Sequence, residues 1–205
     1  MRRGLFISFF AILAMSVCFQ LWRMSQADAA AWLSVDYLMR ATALIALAVA
    51  GPTRHLAFKT RPLQIGKAEL AAWFLGAATL AALYGYEPPW HVVEAWSPDI
   101  RLDFPPRTRG VLHFIDLIFG LALVAIHEEI FFRRVARAVL RPLGDGVAMI
   151  AISSVIFGLF HWWTGLPNIV LATVTGAFLM LLYRRAGALW PAVLAHYLID
   201  FWILL

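Results

Sequence analysis

The 205-residue sequence predicts an all-α protein, a polytopic transmembrane helical bundle of about seven spans with its N-terminus on the cytoplasmic side. Three observations predict it. Hydrophobic residues make up 62% of the chain against 14% charged, and the mean hydropathy is +0.78, a balance suited to a bilayer rather than to water. The apolar residues gather into runs of roughly 20, the length that crosses a hydrocarbon core as a helix. The basic residues fall between those runs instead of forming one charged surface.

Taken in order, the runs cover about 4–22, 32–50, 68–86, 110–131 with a continuation to about 141, 146–163, 168–183 and 187–205, their edges good to a few residues. Arg2 and Arg3 ahead of the first run resemble the start of a signal peptide, but no small-x-small cleavage site follows and a retained helix is expected. The lone Cys18 lies in that run, so no intramolecular disulfide is available. In the second run Asp36 and Arg40 stand one helical turn apart and are expected to neutralise each other. Glu87 to Arg109 holds mixed charge, half of the prolines, Trp90 and Trp96, and is expected to be an outer interfacial loop or short surface helix.

A cytoplasmic N-terminus places Arg2, Arg3, Arg54, Lys59, Arg61, Lys67, Arg133, Arg134, Arg137, Arg141, Arg184 and Arg185 on the inner side, twelve of the seventeen basic residues. The positive-inside rule therefore selects that orientation. It also accounts for the net charge of +5 without nucleic acid, which is not an expected partner. A single membrane domain is expected, with no repeat and no nucleotide-binding glycine loop.

Ionisable groups inside the last four runs carry the functional argument, because each costs several kcal/mol in hydrocarbon unless paired or facing a polar cavity. His127, Glu128 and Glu129 are consecutive in the fourth run, the fifth contains His161, and His196 with Asp200 lie one turn apart in the seventh. If the fourth and fifth runs turn at 141–146, a rise of 1.5 Å per residue puts Glu128 about 20 Å before the turn and His161 about 22 Å after it. On the same reckoning from a turn at Ala186 and Gly187, His196 lies about 14 Å and Asp200 about 20 Å into the last run. All four groups are expected in one layer of the membrane. Glu129 and Arg133, at i and i+4, are expected to pair, leaving Glu128 for other work on a face about 100° away.

Each feature also has a structural reading. The acids could be a salt-bridged helix end, His161 an interfacial histidine beside Trp162 and Trp163, and His196 with Asp200 a packing pair. Their combination favours chemistry. The order Glu128-Glu129-x-x-x-Arg133, Phe157-x-x-x-His161, His196-x-x-x-Asp200 resembles the CAAX protease and bacteriocin-processing family, also called Abi, which includes the type II CAAX prenyl endopeptidases. The resemblance covers about 110–205. It implies a catalytic four-helix membrane core there, preceded over 1–109 by variable transmembrane helices and the outer loop.

What the resemblance implies is an intramembrane endopeptidase that cuts a membrane-associated protein or peptide, in which Glu128 and His161 activate a water while His196 and Asp200 stabilise the oxyanion. Glu129, Arg133 and Phe157 are supporting residues. The family commonly has asparagine at the position of Asp200. An ionised carboxylate repels an oxyanion where an amide donates to it, so Asp200 is expected to orient His196 by accepting its ring proton. No cofactor is favoured; zinc on Glu128, His161, His196 and Asp200 is the metal alternative, although His-Glu-x-x-His is absent. A non-catalytic immunity or scaffold protein and a proton-coupled transporter are the alternatives of another class. The expected location is the bacterial inner membrane.

Overall fold

The structure, a computed structural model, describes residues 2–85 and 108–205. Most of the expected outer loop, with Trp90 and Trp96, lies outside the described residues. Every regular element among the described residues is helical. We number the helices α1 (Arg2–Met24), α2 (Ala29–Val49), α3 (Gly51–Ala57), α4 (Lys67–Gly85), α5 (Gly110–Leu143), α6 (Val147–Leu159), α7 (Leu166–Ala186) and α8 (Trp190–Leu204). Among the described residues, α1, α2, α5 and α7 are long and apolar enough to cross a membrane, while α6 and α8 are shorter apolar helices. The protein is thus an integral membrane protein built of helices.

The chain divides into two compact units, one of Met1–Lys59 and Asp103–Pro142, the other of Thr60–Leu102 and Leu143–Leu205. In the first, α1 and α2 form a hairpin whose tight turn follows from local polar groups. Ser25 donates to the Trp22 carbonyl at 2.7 Å as α1 ends, and Asp28 caps α2 by accepting from the Ala31 N–H at 2.8 Å. Pro52 sits in the first turn of α3, where a missing N–H costs nothing. Arg134 of α5 donates to the Ala57 carbonyl at 2.7 Å, meeting an orphan acceptor at the negative end of α3. Phe9 of α1 stacks on Phe131 of α5 with ring centroids 4.8 Å apart, and both are buried.

Helix α5 is continuous but irregular, with π-helical segments at Asp116–Gly120 and Ile130–Val135. Glycine at the end of the first leaves room for a side-chain contact between helices. A Cβ on Gly120 would come within 2.2 Å of Asp116 Oδ1 and 2.5 Å of the Tyr37 hydroxyl. Tyr37 donates to Asp116 Oδ1 there at 2.6 Å, joining α2 to α5.

In the second unit α6 and α7 pack closely because glycines let the backbones approach. A Cβ on Gly158 would meet Thr173 Oγ1 at 1.9 Å and the Ile169 carbonyl at 2.6 Å. Helix α7 ends at Gly187, whose φ of 71° is the left-handed cap, as its place at the expected last turn requires. The Gln64 N–H donates to the Ala186 carbonyl at 2.8 Å, and Glu69 accepts from Arg185 Nε at 2.5 Å, tying α4 and the strand of chain before it to that helix end.

A candidate acid and histidine site

The first unit holds the acids. Glu128 and Glu129 close the regular α-helical stretch of α5 immediately before its second π-segment, and both are buried with His127. Glu129 is engaged as its spacing predicts: Arg133 donates to it through Nε at 2.9 Å and Nη2 at 3.2 Å. Arg133, counted above among the inner-side charges, is fully buried and is no surface anchor.

Glu128 has a partner from the second helix. Arg40 Nη1 donates to Glu128 Oε1 at 2.7 Å, while its Nε donates to Asp36 Oδ2 at 2.7 Å. Arg23, near the end of α1, closes the series by donating to Asp36 Oδ1. Two guanidiniums and two carboxylates therefore alternate, Arg23, Asp36, Arg40, Glu128, and their formal charges sum to zero. All four are buried. Such neutrality is what allows four charges to share a low-dielectric interior. The Arg23 guanidinium also lies 4.3 Å above the Trp32 ring.

His127 sits beside this series, with Nδ1 3.4 Å from Arg40 Nη1. An arginine only donates, so Nδ1 presents its lone pair and the proton of the neutral ring is on Nε2. Among the described residues that buried Nε2 has no hydrogen-bond partner.

The second unit holds the other candidates. His161 does not lie on α6 as the run 146–163 suggested. The helix closes at Phe160, and His161 takes φ −95° and ψ 19° at the start of a short 3-10 turn over Trp162–Thr164. Polar groups and a glycine make that break. Thr164 Oγ1 donates to the His161 carbonyl at 2.5 Å, Asn168 Nδ2 donates to Thr164 Oγ1 at 2.6 Å, and Gly165 has a φ of 90° that suits only glycine.

His161 Nδ1 lies 2.9 Å from the Phe157 carbonyl. A carbonyl only accepts, so Nδ1 carries the proton and Nε2 of the neutral ring keeps its lone pair. Phe157 also gathers the two histidines: its ring stands edge-on to His161 at 4.9 Å and to His196 at 5.8 Å between centroids. His196 is buried on α8, with Nε2 3.4 Å from Asp200 Oδ2 one turn on. Asp200 is less enclosed than His196, its side chain 25% exposed against 4%.

The sequence-selected residues thus form two groups: Glu128, Glu129 and Arg133 in one unit, and Phe157, His161, His196 and Asp200 in the other. Arg40, Asp36 and Arg23 are the residues sequence reasoning left out of the site. A signal existed, since a guanidinium with five donors inside a span outruns what one aspartate can accept. Among the described residues no three His, Cys, Asp or Glu side chains are grouped as a metal would need.

Buried acids in one unit and two imidazoles against one phenyl ring in the other are thus the polar groups that these apolar helices hold. Residues 110–202 match the family described as Type II CAAX prenyl endopeptidase Rce1-like. The match begins at the first residue of α5 and covers both candidate groups; α1 to α4 lie ahead of it. No curated protein and no solved structure matches the chain.

Proposed function

We propose that the chain is an intramembrane endopeptidase that hydrolyses a peptide bond of a membrane-associated protein or peptide, with Glu128 as general base. Water attacks the scissile carbonyl carbon as its proton passes to Glu128, and Glu128 returns that proton to the leaving amine when the C–N bond breaks. His161 holds the water through Nε2. His196 acts as an imidazolium, its Nε2–H donating to Asp200, which fixes the ring, and its Nδ1–H donating to the developing oxyanion.

The observation that carries this reading is the convergence of His161 and His196 on one Phe157 ring, because packing alone has little reason to bring two imidazoles of distant sequence position to one phenyl. The family match over the same residues supports it. The chain is read as crossing a bacterial inner membrane seven times, with its N-terminus inside, α4, α6 and α8 completing the four longer helices. The positive-inside bias supports that orientation.

The test compares membrane proteomes of cells carrying the wild-type chain and Glu128→Gln, which keeps the shape and removes the base. An uncut precursor should accumulate in the variant. Unchanged cleavage in the variant would defeat the assignment of Glu128, and a phenotype that survives with no precursor would favour a scaffold or immunity role. Metal quantification of the purified protein, with cleavage measured after chelation, separates this route from a zinc-dependent one on the same side chains.

A further inference from the structure

Glu128 is surrounded by named charges. From α2 it meets Arg40 directly, with Asp36 behind; from α1 Arg23 joins through Asp36; on its own helix His127 lies beside Arg40, and Glu129 is occupied by Arg133. A lone carboxylate in hydrocarbon takes up a proton sooner than stay charged, and a protonated carboxyl cannot act as a base. The guanidinium against Oε1 opposes that outcome. Its own orientation is fixed by Asp36, which Arg23 in turn holds.

We propose that Arg40 is a positioning residue for the Glu128 base, fixing the rotamer of its carboxylate and keeping it charged within the membrane, with Asp36 and Arg23 as the struts that aim Arg40. The inference rests on the reading of Glu128 as the base. It makes the α1–α2 hairpin part of the reaction centre, although that hairpin lies outside the segment matched by the family. Arginine suits the task because its charge persists in a buried setting and its fork can bridge two carboxylates at once. Lysine supplies the charge without the fork.

Dicyclohexylcarbodiimide, an apolar reagent that modifies protonated carboxyls within membranes, reads the state of Glu128 without any peptide substrate. In protein reconstituted in phospholipid nanodiscs, peptide mapping by mass spectrometry should find wild-type Glu128 unmodified at neutral pH and modified in acid. Arg40→Gln should raise its modification at neutral pH by about tenfold to a thousandfold, the range expected for removing an opposite charge at contact distance. Arg40→Lys should stay near the wild type in labelling while cleaving more slowly, which separates charge from aim.

Arg40→Gln that stays monodisperse and helical yet labels at the wild-type rate would overturn the proposal. Should Arg40→Gln fail to fold, the wild type decides: labelling in acid alone supports the role of Arg40, and labelling at neutral pH or at no pH overturns it. Because labelling is read apart from cleavage, an inactive base and an idle Arg40 give different results: Glu128→Gln that still cleaves defeats the base and leaves the labelling pattern standing.

Discussion

Arg133 donates to both oxygens of Glu129, at 2.9 and 3.2 Å, and both side chains are wholly buried. The pair links consecutive turns of α5 across the start of its second π-segment, one residue from Glu128. It is a brace whose partners are costly to separate, since either alone would be a stranded charge. Replacing Arg133 by leucine should therefore destabilise the protein by about 3–5 kcal/mol. Thermal unfolding in detergent checks this, and the double variant Glu129→Leu with Arg133→Leu should lose clearly less than either single change. A double variant whose loss is the sum of the two single losses would mean the pair is not coupled.

Phe157 is buried against two imidazoles, so truncating it removes packing and frees both rings. Phe157→Ala should cost about 3–5 kcal/mol. Phe157→Leu, which fills more of the space, should cost less and retain more cleavage. An alanine variant with undiminished unfolding temperature would show that the ring is not the spacer it is taken to be.

The close approach of α6 and α7 can be tested at its narrowest point. Gly158→Ala must push against Thr173 and the Ile169 carbonyl and should destabilise by about 1–3 kcal/mol. Gly51→Ala, with nothing within 4 Å of the new carbon, should change stability by no more than about 0.5 kcal/mol. Parallel melting curves of the two variants decide it, and similar curves would contradict the packing described.

Aspartate and asparagine share an oxygen that can accept from His196, so Asp200 can be tested by exchange of the one for the other. If orientation is its work, Asp200→Asn should keep cleavage within about tenfold of the wild type, whereas Asp200→Leu should lower it about a hundredfold, the scale of losing one aligned donor to an oxyanion. Initial cleavage rates of a precursor identified from the proteome comparison provide the measurement. An asparagine variant as slow as the leucine one would assign the role to the charge instead.

The parts of this molecule readable from sequence are those where the signal is local. Apolar run length located the helices, Gly187 marked the last turn, and the i, i+4 spacing foretold Glu129 with Arg133 and His196 with Asp200. Two things were not local. His161 leaves its helix because Thr164, Asn168 and Gly165 beyond it reorganise the turn, while hydropathy reads the tryptophans there as more helix. Arg40 seemed spoken for by Asp36, and only tertiary packing shows that its second hand reaches Glu128, far along the chain. Periodicity has no term for a side chain that serves two helices.

The π-segment over Ile130–Val135 gives α5 a wider turn directly after its glutamates. Shortening that stretch by one residue would let the backbone settle into ordinary α geometry, so the cut would mend itself as a helix. The halves on either side would keep nearly the same facing, because the π-turn is what absorbs the extra residue, and the wide turn beside Glu128 and Glu129 would be lost. The extra residue is thus accommodated locally, and a single codon can be lost from this stretch without turning the two ends of the helix against their neighbours.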